Sequence, residues 1–306
     1  MLALVGSGSA KACQMCAAIL QLTISAQELV YAEHSVLAMP VADANEFRVV
    51  AVIKGDAPPG NTIKIADVFR PALKSDKPLL LIRDKSWRQW VNFGSVRVER
   101  ANWLRELSMT KRNFEMNDAE WREHVAYFLP YLENPEPMVA EIAYNELARV
   151  PYSALRSLKP RLDAAVVREW LKDSKLAARQ PTYLLLLGIA GTAQDGRWLA
   201  ERIEIARTTH TTANLPALLG AYIELRGPAG VEQVQKLYLA DSSRTKPEIE
   251  AALVALKVHG ESDSVARDRV NEALKDFIKQ NPSLASLVSA GPGETEIKIA
   301  PVSAAP

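Results

Sequence analysis

Cys13 and Cys16 form a C-x-x-C pair, and they are the only cysteines in the sequence. One interpretation is a short disulfide, which forms readily in exported proteins. A second is a redox-active dithiol, which needs a helix start at the first cysteine to lower its thiol pKa. A third is a metal site, although the four histidines show no paired ligand spacing. No histidine follows Cys16, so covalent haem attachment is disfavoured. The motif predicts a disulfide or redox site.

No other sequence motif predicts catalysis. The chain lacks a dinucleotide-binding G-x-G-x-x-G, a P-loop, a zinc-binding H-E-x-x-H and a G-x-S-x-G nucleophile elbow. Glu120 and His124 are one helical turn apart, which is compatible with a metal and equally with an ordinary surface pair. We predict the surface pair, and no catalytic residue, metal or cofactor.

A basic and aromatic stretch, "RDKSWRQWVNF", is the strongest recognition signal in the sequence. Trp87, Arg88 and Trp90 are predicted partner-binding residues, because tryptophan and arginine are enriched at binding hot spots. The alternative is that these tryptophans pack a sheet edge, with arginine stems lying over the rings.

Composition and charge narrow the class of protein. A chain of 306 residues is long enough for two domains. Its 48% hydrophobic and 24% charged content is typical of a globular protein. A net charge of +1 gives no electrostatic basis for binding nucleic acid. No stretch reaches the roughly 18 consecutive apolar residues of a membrane span. We expect a protein partner, in a membrane-associated or multi-subunit complex, and no nucleic acid.

The first twelve residues, Met1–Ala12, have the composition of the end of a secretory signal peptide. "MLALVGSGSAKA" is apolar and small, and it ends in an A-x-A pattern directly before Cys13. We therefore expect export to the periplasm or another extracytoplasmic location, with cleavage after Ala12.

The next segment, residues 13–100, reads as a β domain. Glu46–Lys54 is a strand with apolar residues on both faces, which predicts that both faces are covered. The turn-rich "GDAPPGN" follows it and predicts a hairpin. The remaining strands are predicted at 35–41, 62–65, 78–83, 87–93 and 95–99.

At "FRVVAVIKGDAPPGNTIKI" the chain resembles the netrin-like and tissue-inhibitor-of-metalloproteinase OB-fold family. Members of that family also begin with a cysteine motif and contain a strand ending in K-G. The resemblance implies a small OB-like β barrel, and protease inhibition through the mature N-terminal amine of Cys13. The order of C-x-x-C, strand domain and helical segments also resembles exported bacterial proteins of unknown function.

Helical patterns occupy the rest of the chain. Joining helices are predicted at 101–109 and 117–132, with Asn117 or Asp118 and Glu120 capping the second. Residues 135–288 then contain apolar helices starting at 137, 181, 215 and 247, roughly 32 to 44 residues apart. Along the first of these, Asn145 and Glu146 are predicted to lie off the apolar stripe. "EPMVAEIAYNELA" and this period resemble the HEAT-repeat family, which implies an α-solenoid.

The C-terminal part supplies the last predicted interaction residues. The final helix retains Phe277 and other apolar residues with no following repeat to cover them, so we expect some to be exposed at an interface. The tail, residues 289–306, alternates Ile297 and Ile299 with charge and is predicted to be a flexible arm that adds to a neighbour.

The sequence as a whole predicts an α+β protein with an OB-like barrel followed by a HEAT-like α-solenoid. The domains are a signal remnant at 1–12, the β domain at 13–100, joining helices at 101–134, repeats at 135–288 and the tail at 289–306. Its predicted function is a non-catalytic extracytoplasmic scaffold or accessory subunit that binds partners through the helical surface. The alternatives are a secreted dithiol oxidoreductase and a protease-inhibitor-like module.

Overall fold

The computed structural model of the chain describes residues 24–41, 46–65, 76–84, 89–262 and 265–289. They form a mixed α+β fold, as the sequence predicts. Backbone contacts divide them into two compact units, with the sequence boundary between Leu158 and Lys159. We call residues 24–158 the sheet unit and residues 159–289 the helical unit. The helix at 137–148, which the sequence pattern groups with the repeats, belongs to the sheet unit.

The sheet unit contains five antiparallel strands in the order β3-β2-β1-β4-β5. Four of them agree with the predicted strands to within one residue at each end. Two strands were predicted at 87–93 and 95–99, but the described part of this region, residues 89–99, contains one strand followed by a 3₁₀ turn, Val98–Arg100. The strands are β1 His34–Pro40, β2 Glu46–Lys54, β3 Thr62–Lys64, β4 Leu79–Arg83 and β5 Val91–Ser95.

The central strand, β1, and its neighbour β4 are covered on both faces. Consecutive residues Val36, Leu37 and Ala38 are all buried, as are Leu79–Ile82, and consecutive side chains point to opposite faces. The prediction that β2 is covered on both faces is wrong, because Val50 is 44% exposed.

Five helices complete the sheet unit. The predicted cap of α3 is confirmed, since the Asn117 side chain accepts the Glu120 N–H and the Glu120 carboxylate accepts the Asn117 N–H. The α3 helix ends earlier than predicted and continues as a 3₁₀ turn containing Pro130, which has no N–H to donate. The helices are α1 Ala26–Tyr31, α2 Ala101–Ser108, α3 Asp118–Phe128, α4 Pro137–Ala148 and α5 Tyr152–Arg156.

The K-G pair at the end of β2 anchors α1, which the sequence did not predict. The Lys54 Nζ donates to the carbonyls of Leu29 and Val30 at 3.2 and 2.6 Å. Burial, with the charge of Arg112, lowers the pKa of this lysine. Gly55 has φ +74°, and a Cβ there would lie 2.6 Å from both the Glu33 carbonyl oxygen and the His34 ring. Lys54 therefore binds the end of α1, and glycine at position 55 leaves room for Glu33 and His34, which follow that helix.

The helical unit is built from helices that pack in sequence order. Its most apolar helices, α7, α9 and α11, pack on one another in turn, while α8 packs on α9 and α12 on α10 and α11. Their observed starts at residues 180, 215 and 246 agree with the predicted starts to within one residue. The helices are α6 Ala164–Lys172, α7 Gln180–Ala190, α8 Ala193–Thr209, α9 Leu215–Arg226, α10 Pro228–Val234, α11 Lys246–Glu261, α12 Arg267–Gln280 and α13 Ala285–Ser289.

Close helix contact in this unit depends on Gly188 of α7. A Cβ at Gly188 would lie 2.6 Å from the Cα of Ala221 in α9, so only glycine permits this approach. None of the helices in the described part of the chain is long and apolar enough to cross a membrane.

Candidate functional site

A groove of about 490 Å³ lies between α2, α3 and the segment that connects them in the sheet unit. Most of its wall is apolar, and its polar groups are grouped at one histidine and at several carboxylates. The lining residues are Glu106, Leu107, Met109, Thr110, Lys111, Met116, Glu120, Glu123, His124, Tyr127 and Phe128.

Helix packing and one glutamine hold the two walls of the groove. The α2 helix buries Trp103, Leu104 and Leu107, which leaves its other face toward solvent. The connecting segment is fixed by Gln27 of α1, whose Nε2 donates to the Lys111 carbonyl and whose Oε1 accepts the Asn113 N–H, both at 3.2 Å. The groove is therefore supported by three helices of the same unit.

Large apolar side chains are exposed along the groove and beside it. Met109 is 78% exposed at the end of α2, and Phe114, in the connecting segment, is 66% exposed. The guanidinium of Arg112 lies 5.3 Å from the ring centre of Tyr31 and 6.0 Å from that of Phe114. This surface has the methionine, aromatic and arginine composition of protein interfaces.

His124 forms the polar part of the groove wall. Its Nε2 lies 2.9 Å from Oε2 of Glu146, a residue of α4 with no exposed surface. The other carboxylate oxygen, Oε1, accepts the backbone N–H of Ala26 at 2.8 Å. The imidazole is packed edge-on between the rings of Trp121 and Phe128, with centroid distances of 5.5 and 4.9 Å. These contacts fix the orientation of the imidazole ring.

Charges on the groove wall are unequal. The groove lining contains three carboxylates, those of Glu106, Glu120 and Glu123, and one ammonium group, that of Lys111. Lys111 is paired with Glu120, and this hydrogen bond lowers the pKa of Glu120 and raises that of Lys111. Within the described residues, Glu106 and Glu123 make no salt bridge. The groove wall therefore carries an excess of negative charge.

The other polar groups of the groove belong to Thr110 and Tyr127. The hydroxyl of Thr110 donates to the Leu107 carbonyl at 2.8 Å, and burial raises the pKa of Tyr127 to about 12. Glu120 and His124 do not act as a pair, because Glu120 binds Lys111 while His124 turns inward to Glu146. The described residues contain no group of three or more ligands able to hold a metal ion.

The prediction that Asn145 and Glu146 lie off the buried stripe of α4 is wrong. Both are buried, and the Asn145 Nδ2 donates to the Ile24 carbonyl at 2.8 Å. These polar side chains of α4 bind the backbone at the start of α1. The Glu120–His124 spacing was the one sequence signal close to this site, but its partner Glu146 is 22 residues further along the chain.

Most of the predicted site residues cannot be placed relative to this groove, because Cys13, Cys16, Trp87, Arg88, Ile297 and Ile299 lie outside the described residues. Trp90 is partly buried against the core cluster of the sheet, which includes Val36 and Leu81. The Arg83 guanidinium lies 5.4 Å from the Trp90 ring centre, which is the sheet-packing arrangement given as the alternative.

Phe277, the remaining predicted interaction residue, lies in the helical unit. It is only 2% exposed, so it is part of the core of that unit and not of its open surface. Its helix, α12, packs on both α10 and α11, and this packing covers the side chain that the sequence pattern left uncovered.

Comparisons of the chain with protein-family models, with curated proteins and with solved structures find no match. The geometry and composition of the groove are therefore the basis for the proposed function.

Proposed function

We propose that this protein is a non-catalytic interaction protein that binds a segment of a protein partner in the α2–α3 groove. The observation that supports this most directly is the exposure of Met109 at the groove. Large apolar side chains in water are unfavourable, and exposed apolar patches mark interaction sites. Phe114 and Tyr31, which Arg112 bridges, extend the apolar surface beyond the groove. A partner segment with an apolar anchor would cover Met109 and Tyr127 together.

Photo-crosslinking tests this proposal. A photoreactive phenylalanine analogue placed at position 109 of the full chain should crosslink to one recurring segment of a partner in cells. The same analogue at Ile205 of α8, which is 53% exposed in the helical unit, is the matched control. Mass spectrometry then maps the crosslinked segment.

Two further results decide the outcome. Met109→Asp should weaken binding of the mapped segment at least about tenfold, because a carboxylate replaces the apolar contact. Equal crosslinking from positions 109 and 205, or unchanged binding by Met109→Asp, would contradict the groove as the binding site.

The helical unit is a second proposed contact surface, together with the arm at 289–306. Stacked helices present one continuous face, which is the usual binding surface of such arrays. Deletion of residues 291–306 should weaken partner binding without lowering thermal stability. Unchanged binding by the truncated chain would remove the arm from the proposal.

The finer fold assignments are also proposals. Five antiparallel strands with β1 in the centre support an OB-like barrel. The successive packing of α7, α9 and α11 supports a short HEAT-like stack. An experimental structure showing β3 paired with β5 would support closure of the barrel.

Export and the C-x-x-C chemistry stay predictions. The mass of the purified mature protein tests cleavage after Ala12, and an intact N-terminus would also exclude inhibition through the Cys13 amine. An insulin-reduction assay tests the dithiol alternative. A thiol pKa near its ordinary value of about 8.5 would argue against a redox role, because a catalytic thiol is more acidic.

A further inference from the structure

One ring nitrogen of His124 has no hydrogen-bond partner among the residues that the structure describes. The residue is 8% exposed, and its exposed part lies on the wall of the groove. A carboxylate oxygen can only accept a hydrogen bond, so the nitrogen facing Glu146, Nε2, bears the proton. In the neutral ring Nδ1 is then an acceptor, and the described residues place no donor on it. In its neutral form the imidazole therefore offers the groove a hydrogen-bond acceptor of fixed orientation.

The groove charges match this acceptor. The carboxylates of Glu106 and Glu123 are exposed and make no salt bridge within the described residues. A ligand group that donates hydrogen bonds and is positively charged would satisfy both the imidazole nitrogen and the carboxylates. A carboxylate or phosphate would face repulsion from the same groups.

The apolar wall suits the stem of such a side chain. Lysine and arginine lay their methylene chains along apolar surface and keep the charged head at its polar end. Met109, Met116 and Tyr127 supply this surface, and the Tyr127 ring can also contact a cation.

We propose that the α2–α3 groove recognises a lysine or arginine side chain of the partner segment, with His124 Nδ1 as the hydrogen-bond acceptor for its head group. This inference rests on the proposed function, since it names the chemistry of the segment that the groove binds. His124 is then a specificity-determining residue, held in position by Glu146.

Selection from a library of short random peptides tests the proposal. The full chain is the bait, and peptides that also bind a Met109→Ser variant, which loses the apolar contact without gaining a charge, are removed. The recovered sequences should share a lysine or arginine next to an apolar residue. Recovered sequences with acidic residues, or with no shared basic position, would overturn the basic-side-chain assignment while leaving the groove as a binding site. Failure to recover any peptide that depends on Met109 would overturn the proposed function as well.

A double-mutant cycle on a selected peptide locates the contact. Replacement of its basic residue by norleucine should weaken binding to the native chain about tenfold, as expected for a lost hydrogen bond to a charged group. His124→Phe should weaken the basic peptide by a similar factor and leave the norleucine peptide unchanged. Equal losses for the two peptides would mean that His124 acts only through the shape of the groove, and would contradict the proposal.

A variant with changes only at the surface tests the proposal independently of whether His124→Phe folds. The double substitution Glu106→Gln and Glu123→Gln changes only exposed side chains. It should weaken the basic peptide by about fivefold or more at low salt, with a smaller loss at high salt. Binding that is independent of both the substitutions and salt would overturn the charge argument.

Discussion

Buried carboxylates are handled differently in the two units of this protein. In the helical unit, Asp195 and Glu248 each accept bonds from the threonine that caps their own helix. In the sheet unit, Glu146 lies near the C-terminal end of α4 and binds partners far away in the sequence, His124 and the backbone of Ala26. Buried carboxylates are therefore hydrogen-bonded by neighbours in sequence in the helical unit, whereas Glu146 is hydrogen-bonded by residues distant in sequence.

In the local arrangement each buried carboxylate binds a basic side chain in addition to its capping threonine. Asp195 also binds the Arg168 guanidinium at 2.8 and 3.0 Å, and Glu248 binds Arg244 at 3.0 Å and His210 at 3.2 Å. Charge-assisted bonds of this kind stabilise helix starts. They explain these buried acids completely, so no ligand is required.

The long-range contacts of Glu146 hold His124 by one ring nitrogen and leave the other available to a ligand. Glu146 uses both of its oxygens and fixes His124, whose Nδ1 has no partner in the described part of the chain. A polar atom that is positioned by a buried network and has no partner of its own is suited to recognition. The helical unit therefore binds these acids within their own helix starts, whereas Glu146 in the sheet unit orients a histidine that lines the groove.

The largest expected effect comes from removal of the long-range acid. Glu146→Ala leaves the Ala26 N–H and the His124 ring unpaired in the interior, and should lower the free energy of unfolding by about 3 kcal/mol. Chemical denaturation measures this loss. Glu123→Gln, an exposed change on α3, is the control and should have no measurable effect. A loss below about 1 kcal/mol would show that α1 does not depend on Glu146.

The helical unit should be most sensitive to apolar overpacking. Gly188→Ala places a methyl group against the Ala221 backbone, and should cost about 2 kcal/mol because α7 and α9 must separate. Gly196→Ala is the matched control, since its nearest neighbour would be the Arg226 side chain at 3.6 Å. The control should be neutral or more stable by about 0.5 kcal/mol, because alanine favours helix. Thermal melts of both variants test this contrast.

Low pH should weaken the contacts that Glu248 makes at the start of α11. Burial opposes ionisation of Glu248, but the bonds from Thr245 and His210 and the charge of Arg244 together hold its pKa below the usual 4.5. The stabilisation is therefore present above pH 4.5 and is lost as the pH falls through the lowered pKa.

Glu248→Gln isolates this charge because glutamine can still accept the bonds of the capping box. The variant should be less stable than the native chain by about 1 to 2 kcal/mol at neutral pH. The difference should shrink toward zero in acid, as measured by urea unfolding across the pH range. A difference independent of pH would mean that the charge of Glu248 contributes nothing.

The smallest effect on stability is expected at the groove surface. Met109→Asp should change the free energy of unfolding by less than about 0.5 kcal/mol, because the side chain is largely exposed in the free protein. Leu107→Asp, two residues earlier in the same helix, buries an unpaired charge and should be strongly destabilising. If Met109→Asp also destabilises the protein, the side chain has a structural role and the groove argument fails.

Elements with local signals were predicted well. The hairpin strand at 46–54, the helix starts marked by proline and the Asn117–Glu120 cap all depend on residues within one or two turns of each other. The burial of Phe277 was not predictable in the same way, because it depends on how α12 packs against α10 and α11.

The sequence predicted the α+β composition and the starts of α2, α3, α4, α7, α9 and α11, because periodicity and caps act over a few residues. It also placed Glu120 and His124 on one helix. Only the tertiary structure decided that His124 turns away from Glu120 to Glu146, and that Glu146 binds the start of α1, 120 residues away. Chain folding creates these contacts between distant segments, so no local pattern records them. The acceptor on the groove wall is a product of that folding.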